Sequence, residues 1–161
     1  MMDSKLTEQL QTVDLVDAEM VESAFRFWFS NHDHIRSPFP EYIHDELKQQ
    51  SVKKLIAWCS AISDRARQEI TDEILAEKFE ELLFEQALGM VQTDDERLTI
   101  LYPFMPRLGD VLQSSQSESD NTQSTVIHRE HIKKNDAGYL RIRLCNSITS
   151  QEWETEFELP E

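Results

Sequence analysis

Apolar residues recur every three or four positions through roughly the first two thirds of the chain, then every second position near its end, so helices are expected first and strands last. Met20, Val21, Ala24, Phe25, Trp28 and Phe29 form the first helical stripe, which Asp14 or Asp17 can cap, and the predicted helix covers residues 14–30. Its end, Phe25-Arg26-Phe27-Trp28-Phe29, carries more aromatic surface than one narrow stripe buries. These rings are expected mainly in the core, with Phe25, Trp28 and Phe29 also candidates for contact with a partner.

Ser37-Pro38-Phe39-Pro40-Glu41 signals the next helix, because proline tolerates a first turn and glutamate suits the positive end of the helix dipole. Ile43, Leu47, Leu55, Trp58, Cys59 and Ile62 mark its buried stripe, and the small Ser51 allows close approach. A third helix over residues 71–88 presents Ile74, Leu75, Phe79, Leu82, Leu83 and Ala87 on one side and carboxylates around the rest, with Gly89 as its expected stop. Thr93-Asp94-Asp95-Glu96 reads as a capping box opening a fourth, which Pro103 ends or kinks; Leu108 to Leu112 is expected to add a further turn.

Residues 113–125 contain no apolar side chain and read as a polar flexible linker. Beyond it Leu140, Ile142 and Leu144 alternate with Arg141 and Arg143, and Trp153, Phe157 and Leu159 alternate with Glu152, Glu154, Glu156 and Glu158. An earlier strand, residues 126–133, joins the first of these through Asn135-Asp136-Ala137-Gly138, where Gly138 is expected to supply the positive φ of a tight hairpin. An antiparallel meander then places Arg141 and Arg143 beside the glutamate ladder, with the apolar residues together on the other face. The expected fold is α+β: a helical domain of about four helices over residues 1–112, the linker, and a three-stranded antiparallel meander over residues 126–161.

Charge narrows the partners. The chain carries a formal net charge of -15, and 11 basic against 22 acidic residues precede Gln113. Such a field repels phosphate backbones and anionic membrane surfaces and favours a basic protein partner. There is no run of about 18 uncharged apolar residues, and residues 1–12 lack a basic start followed by an apolar stretch, so a soluble, cytoplasmic protein is expected. Cys59 and Cys145 lie far apart and do not suggest a disulfide framework.

With glycine limited to positions 89, 109 and 138, neither a GxGxxG turn nor a phosphate-cradling loop is available, and no nucleophile elbow occurs. The one cluster with ligand chemistry is His32, Asp33 and His34, followed by Glu41, His44 and Asp45; His32, His34 and His44 are the candidate metal ligands. Against it, imidazoles at the negative end of a helix need no metal. His128 and His131, three apart on a strand, point to opposite sides and do not share a ligand. No catalytic residue or cofactor is expected. These features favour a non-enzymatic protein-binding protein, such as a chaperone, adaptor, inhibitor or immunity-type partner, over the alternative of a small metal-dependent enzyme. The apolar sheet face, with Trp153 and Phe157 as candidate contacts, is expected to pair with a second copy in a two-fold homodimer, with packing on the chain's own helices as the rival arrangement.

Overall fold

The structure is a computed structural model and describes residues 4–11, 16–33, 35–113 and 123–160. Among these it contains six α-helices and a four-stranded antiparallel sheet, so the fold is α+β, with more of each element than the sequence pattern indicates. The chain divides into two compact units, Met1–Pro103 and Phe104–Glu161.

In the first unit, α1 (Ser4–Gln11) and α2 (Ala18–Trp28) lead through a 3₁₀ turn (Glu41–Ile43) into α3 (His44–Ala61), followed by α4 (Asp64–Glu69), α5 (Asp72–Met90) and α6 (Asp94–Leu101). Asp17 caps α2, accepting a hydrogen bond from the Glu19 amide at 2.9 Å; the alternative cap, Asp14, lies outside the described residues. The prolines precede the 3₁₀ turn, which Glu41 opens, and only after it does the α-helix begin. Two short helices, α1 and α4, had no expectation: each is brief, and α1 contributes just Leu6 and Leu10 to the core. Thr71 caps α5 through the Ile74 amide, but Gly89 does not stop the helix, which continues to Met90 before Val91 turns extended. Ile74, expected inside, is 44% exposed.

The core of this unit is built where α3 packs on α5 and α2 meets α5. Phe79, Leu47, Leu55, Leu83, Val21, Val52 and Leu10 are fully buried there. Aromatic rings run through it in edge contacts, Phe79 to Phe25 at 5.5 Å, Phe29 to Phe39 at 5.5 Å and Trp28 to Phe84 at 4.9 Å. Ser51 is fully buried on α3, and its hydroxyl has no hydrogen-bond partner among the described residues. Ser51→Ala should therefore raise stability by about 1 kcal/mol, because it removes a desolvated polar group at little cost in volume. A urea titration checks this: the midpoint should rise with an unchanged slope, and a lower midpoint would mean that the hydroxyl is satisfied, for instance by a trapped water.

In the second unit the sheet runs in the order β1 (Val111–Gln113), β2 (Gln123–Lys134), β3 (Ala137–Asn146), β4 (Glu152–Glu158). Val111 and Leu112, expected in a helical turn, instead pair with Thr125 and Ser124. Gly109, at φ 87°, permits the turn that brings them in, and its amide donates to the Val126 carbonyl at 2.9 Å. Of the expected linker, residues 114–122 lie outside the described residues, while Gln113 and Gln123 to Thr125 are strand.

The β2–β3 turn places positive φ at Asn135 (48°) and Asp136 (68°), not at Gly138. Asparagine and aspartate tolerate that region, and a two-residue turn of this hand matches the twist of the strands. Gly138 lies within β3, where an added Cβ would stand 3.1 Å from His131 Nε2.

The β3–β4 pairing keeps the expected faces together: Leu140 faces Phe157, Leu144 faces Trp153, Arg141 faces Glu156 and Arg143 faces Glu154. Outside, Arg141 reaches Glu156 at 3.1 Å and Glu130 at 3.4 Å, Lys134 bonds Glu156 at 2.7 Å, and Arg143 bonds Glu154 at 3.1 Å. Inside, Val126, Leu140, Ile142, Leu144 and Leu159 are buried, and the half-buried Trp153 donates its indole N–H to Ser124 Oγ at 2.9 Å. Each buried aliphatic group contributes about 1.5–3 kcal/mol. An exposed ion pair contributes about 0.2–1 kcal/mol, so apolar burial rather than the charge ladder holds this sheet together.

A bulge at Ile127, between the pairs Val126–Leu144 and His128–Arg143, changes the face of everything after it. Arg129 consequently lies opposite Ile142 on the inner side, only 5% exposed, and donates to the Pro106 carbonyl at 2.8 Å.

Candidate functional surface

The N-termini of α2 and α5 come together in the first unit around a depression lined by Asp17, Glu19, Met20, Ser23, Asp72 and Leu75. Each helix begins with acidic residues because carboxylates are stabilised beside unpaired backbone amides. The same periodicity that buries Val21 and Phe79 turns Met20 and Leu75 towards this notch. Leu75 is 3% exposed, Met20 is half-buried against the core, and the three acidic residues are exposed at the rim. Two helix N-termini offset about half a charge each, so three carboxylates leave a clear negative excess. The surrounding unit strengthens it, with 10 Lys and Arg against 21 Asp and Glu in residues 1–103.

The candidate metal ligands are placed as follows. His32 lies in the segment after α2, pairs through its backbone with Ile35 and packs edge-on to Phe27 at 4.9 Å. His34 lies outside the described residues. His44 opens α3, stacks on Phe29 at 4.7 Å, and its Nε2 is 2.9 Å from the Phe39 carbonyl oxygen. Among the described residues no group of three or more His, Cys, Asp or Glu side chains is arranged to hold a metal ion.

The candidate partner contacts divide. Phe25 and Trp28 are buried in the helical core, Phe29 packs against it beneath Lys48 at 5.3 Å, and Trp153 and Phe157 are half-buried on the inner side of the sheet. Cys59 is buried, which raises its thiol pKa against a smaller opposing effect of Arg67, so it is held as the unreactive thiol. His128 and His131 lie opposite Arg143 and Leu140, on different faces. No helix among the described residues is long and apolar enough to cross a membrane. The notch itself could not be read from the sequence, because Asp17 and Asp72 are brought together only by the packing of α2 on α5.

No family model, no curated protein and no solved structure matches this chain.

Proposed function

We propose that this chain is a non-enzymatic protein-binding protein, of the chaperone, adaptor, inhibitor or immunity kind, that receives a basic segment of another protein on its first unit. The observation that carries this reading is the notch, in which three carboxylates rim an apolar floor of Met20 and Leu75. A lysine or arginine side chain suits both parts: its methylenes cover the floor while its charged head reaches the rim. Each exposed charge contact adds about 0.2–1 kcal/mol, so one inserted side chain gives weak binding and several basic residues in a row are needed. The wider field of the unit mainly accelerates encounter and excludes acidic or nucleic-acid partners. A cytoplasmic setting agrees with this, and a two-fold dimer, if formed, leaves the notch's role unchanged.

The test is fluorescence anisotropy with a labelled peptide of alternating lysine and alanine. Asp17→Asn with Asp72→Asn keeps both helix caps, since asparagine also caps α2 and Thr71, the cap of α5, is untouched, but removes two rim charges. The double variant should bind about tenfold more weakly at low salt, and binding to the wild-type protein should fall as salt rises. Equal affinity for the two proteins would refute the notch, and wild-type binding indifferent to salt would refute the electrostatic reading altogether.

A further inference from the structure

Glu96 lies at a junction of three segments. Its Oε1 accepts hydrogen bonds from the Thr93 amide at 3.0 Å, the Thr93 hydroxyl at 2.9 Å and the Gln92 amide at 3.2 Å, which closes the turn between α5 and α6. Its amide donates back to Thr93 Oγ1 at 3.1 Å, completing the capping box of α6. The other oxygen, Oε2, accepts from the Tyr42 hydroxyl at 2.8 Å, so the same carboxylate also holds the 3₁₀ turn that leads into α3.

Burial pushes the Glu96 carboxyl upward, but the hydrogen bonds from Tyr42, Thr93 and the Gln92 and Thr93 amides outweigh it, and its pKa falls below the ordinary carboxylate value. By linkage, the stability it contributes is present above the unfolded-state pKa and is lost as pH falls through the lower folded-state value. At neutral pH all four bonds are therefore in place. Tyr42 itself is 57% exposed, whereas Ile43 next to it and Ile100 on α6 are 3% and 2% exposed within one apolar core.

We propose that Glu96 makes the 3₁₀ turn and α6 a single opening unit, a latch that closes over Ile43 and Ile100. The two segments are far apart in sequence, and each is short enough to fray alone. A carboxylate that completes the cap of one and anchors the other ties those two local equilibria together. Release of either end weakens the other, and the open form presents apolar side chains that the closed form hides.

Native-state hydrogen exchange tests this on the intact chain. The amides of Ile43 and His44, bonded to Pro40 and Glu41, report on the turn, and those of Arg97 and Tyr102, bonded to Thr93 and Leu98, report on α6. Tyr42→Phe keeps the ring and removes only the donor, and it should speed exchange about tenfold at all four amides, as expected for a hydrogen bond to a charged group. Thr93→Ala, placed on the other side of the junction, should speed exchange at Ile43 and His44 as well as in α6. Two results overturn the latch: acceleration confined to the segment carrying the substitution, or an equal rise at Leu55 and Phe79, which would mean that these amides exchange only by unfolding of the whole unit.

Discussion

Replacing Phe79 with alanine should cost the first unit about 4 kcal/mol, the scale of a fully buried aromatic truncation that leaves a cavity. Phe79 has no exposed surface, and its ring meets Phe25 edge-on at 5.5 Å, while Phe25 in turn lies 5.3 Å from Phe29. Its removal deletes both the burial and one end of this aromatic series, which neighbouring side chains cannot fill without leaving their rotamers. Phe79→Leu keeps part of the volume and should recover about half of the loss. Phe27→Ala, at a ring 41% exposed, should cost less than about 1 kcal/mol. Urea unfolding followed by the fluorescence of Trp28 and Trp58 measures all three. A loss at Phe79 no larger than at Phe27 would show that the centre of this unit lies elsewhere.

Arg129→Ala should be the most damaging single change in the sheet, at about 3 kcal/mol. An arginine that is 5% exposed contributes both its packed stem and a charge-assisted hydrogen bond, here to the Pro106 carbonyl. Truncation leaves a cavity beside Ile142 and frees the segment that carries Pro106. Arg129→Met fills the cavity without replacing the donor, so it should cost about half as much. Arg143→Ala, on the outer face and paired with the exposed Glu154 carboxylate, should cost about 0.5 kcal/mol. Hydrogen exchange at β2 and β3 amides checks the order, and an alanine variant as stable as the wild type would mean that Arg129 is a solvated side chain rather than a structural one.

Strong local chemistry was legible along the chain. Thr93 and Glu96 form the capping box that their spacing implies, and the arginine–glutamate alternation places those charges together on one face of β3 and β4. The failures share a cause, which is dependence on distant partners. Val111 and Leu112 look like the tail of a helix until β2 offers them a ladder, and α1 has two apolar anchors whose burial is decided by α3. Gly138 drew attention as the glycine of its hairpin, yet Asn135 and Asp136 take the left-handed positions, which both side chains tolerate. Contacts across the fold were equally hidden: the imidazoles of His32 and His44, candidate ligands by residue type, each pack against a phenylalanine ring. The acidic notch joins two helix starts that no sequence window contains together.

The unpaired Ile127 acts on β2 as an inserted letter acts on a reading frame. Upstream of it, even-numbered residues such as Ser124 and Val126 face inward; downstream, the odd-numbered Arg129 and His131 do, opposite Ile142 and Leu140. Were Ile127 taken into the ladder in regular alternation instead of bulging out, His128, Glu130 and Ile132 would turn inward, withdrawing Glu130 from Arg141 and exposing Arg129 to water. The sequence would be the same, yet His128 and the Glu130 carboxylate would take the inner places now held by the Arg129 guanidinium and His131. The sign of the charge enclosed by this sheet is thus set by the position of a single residue that has no partner across the ladder.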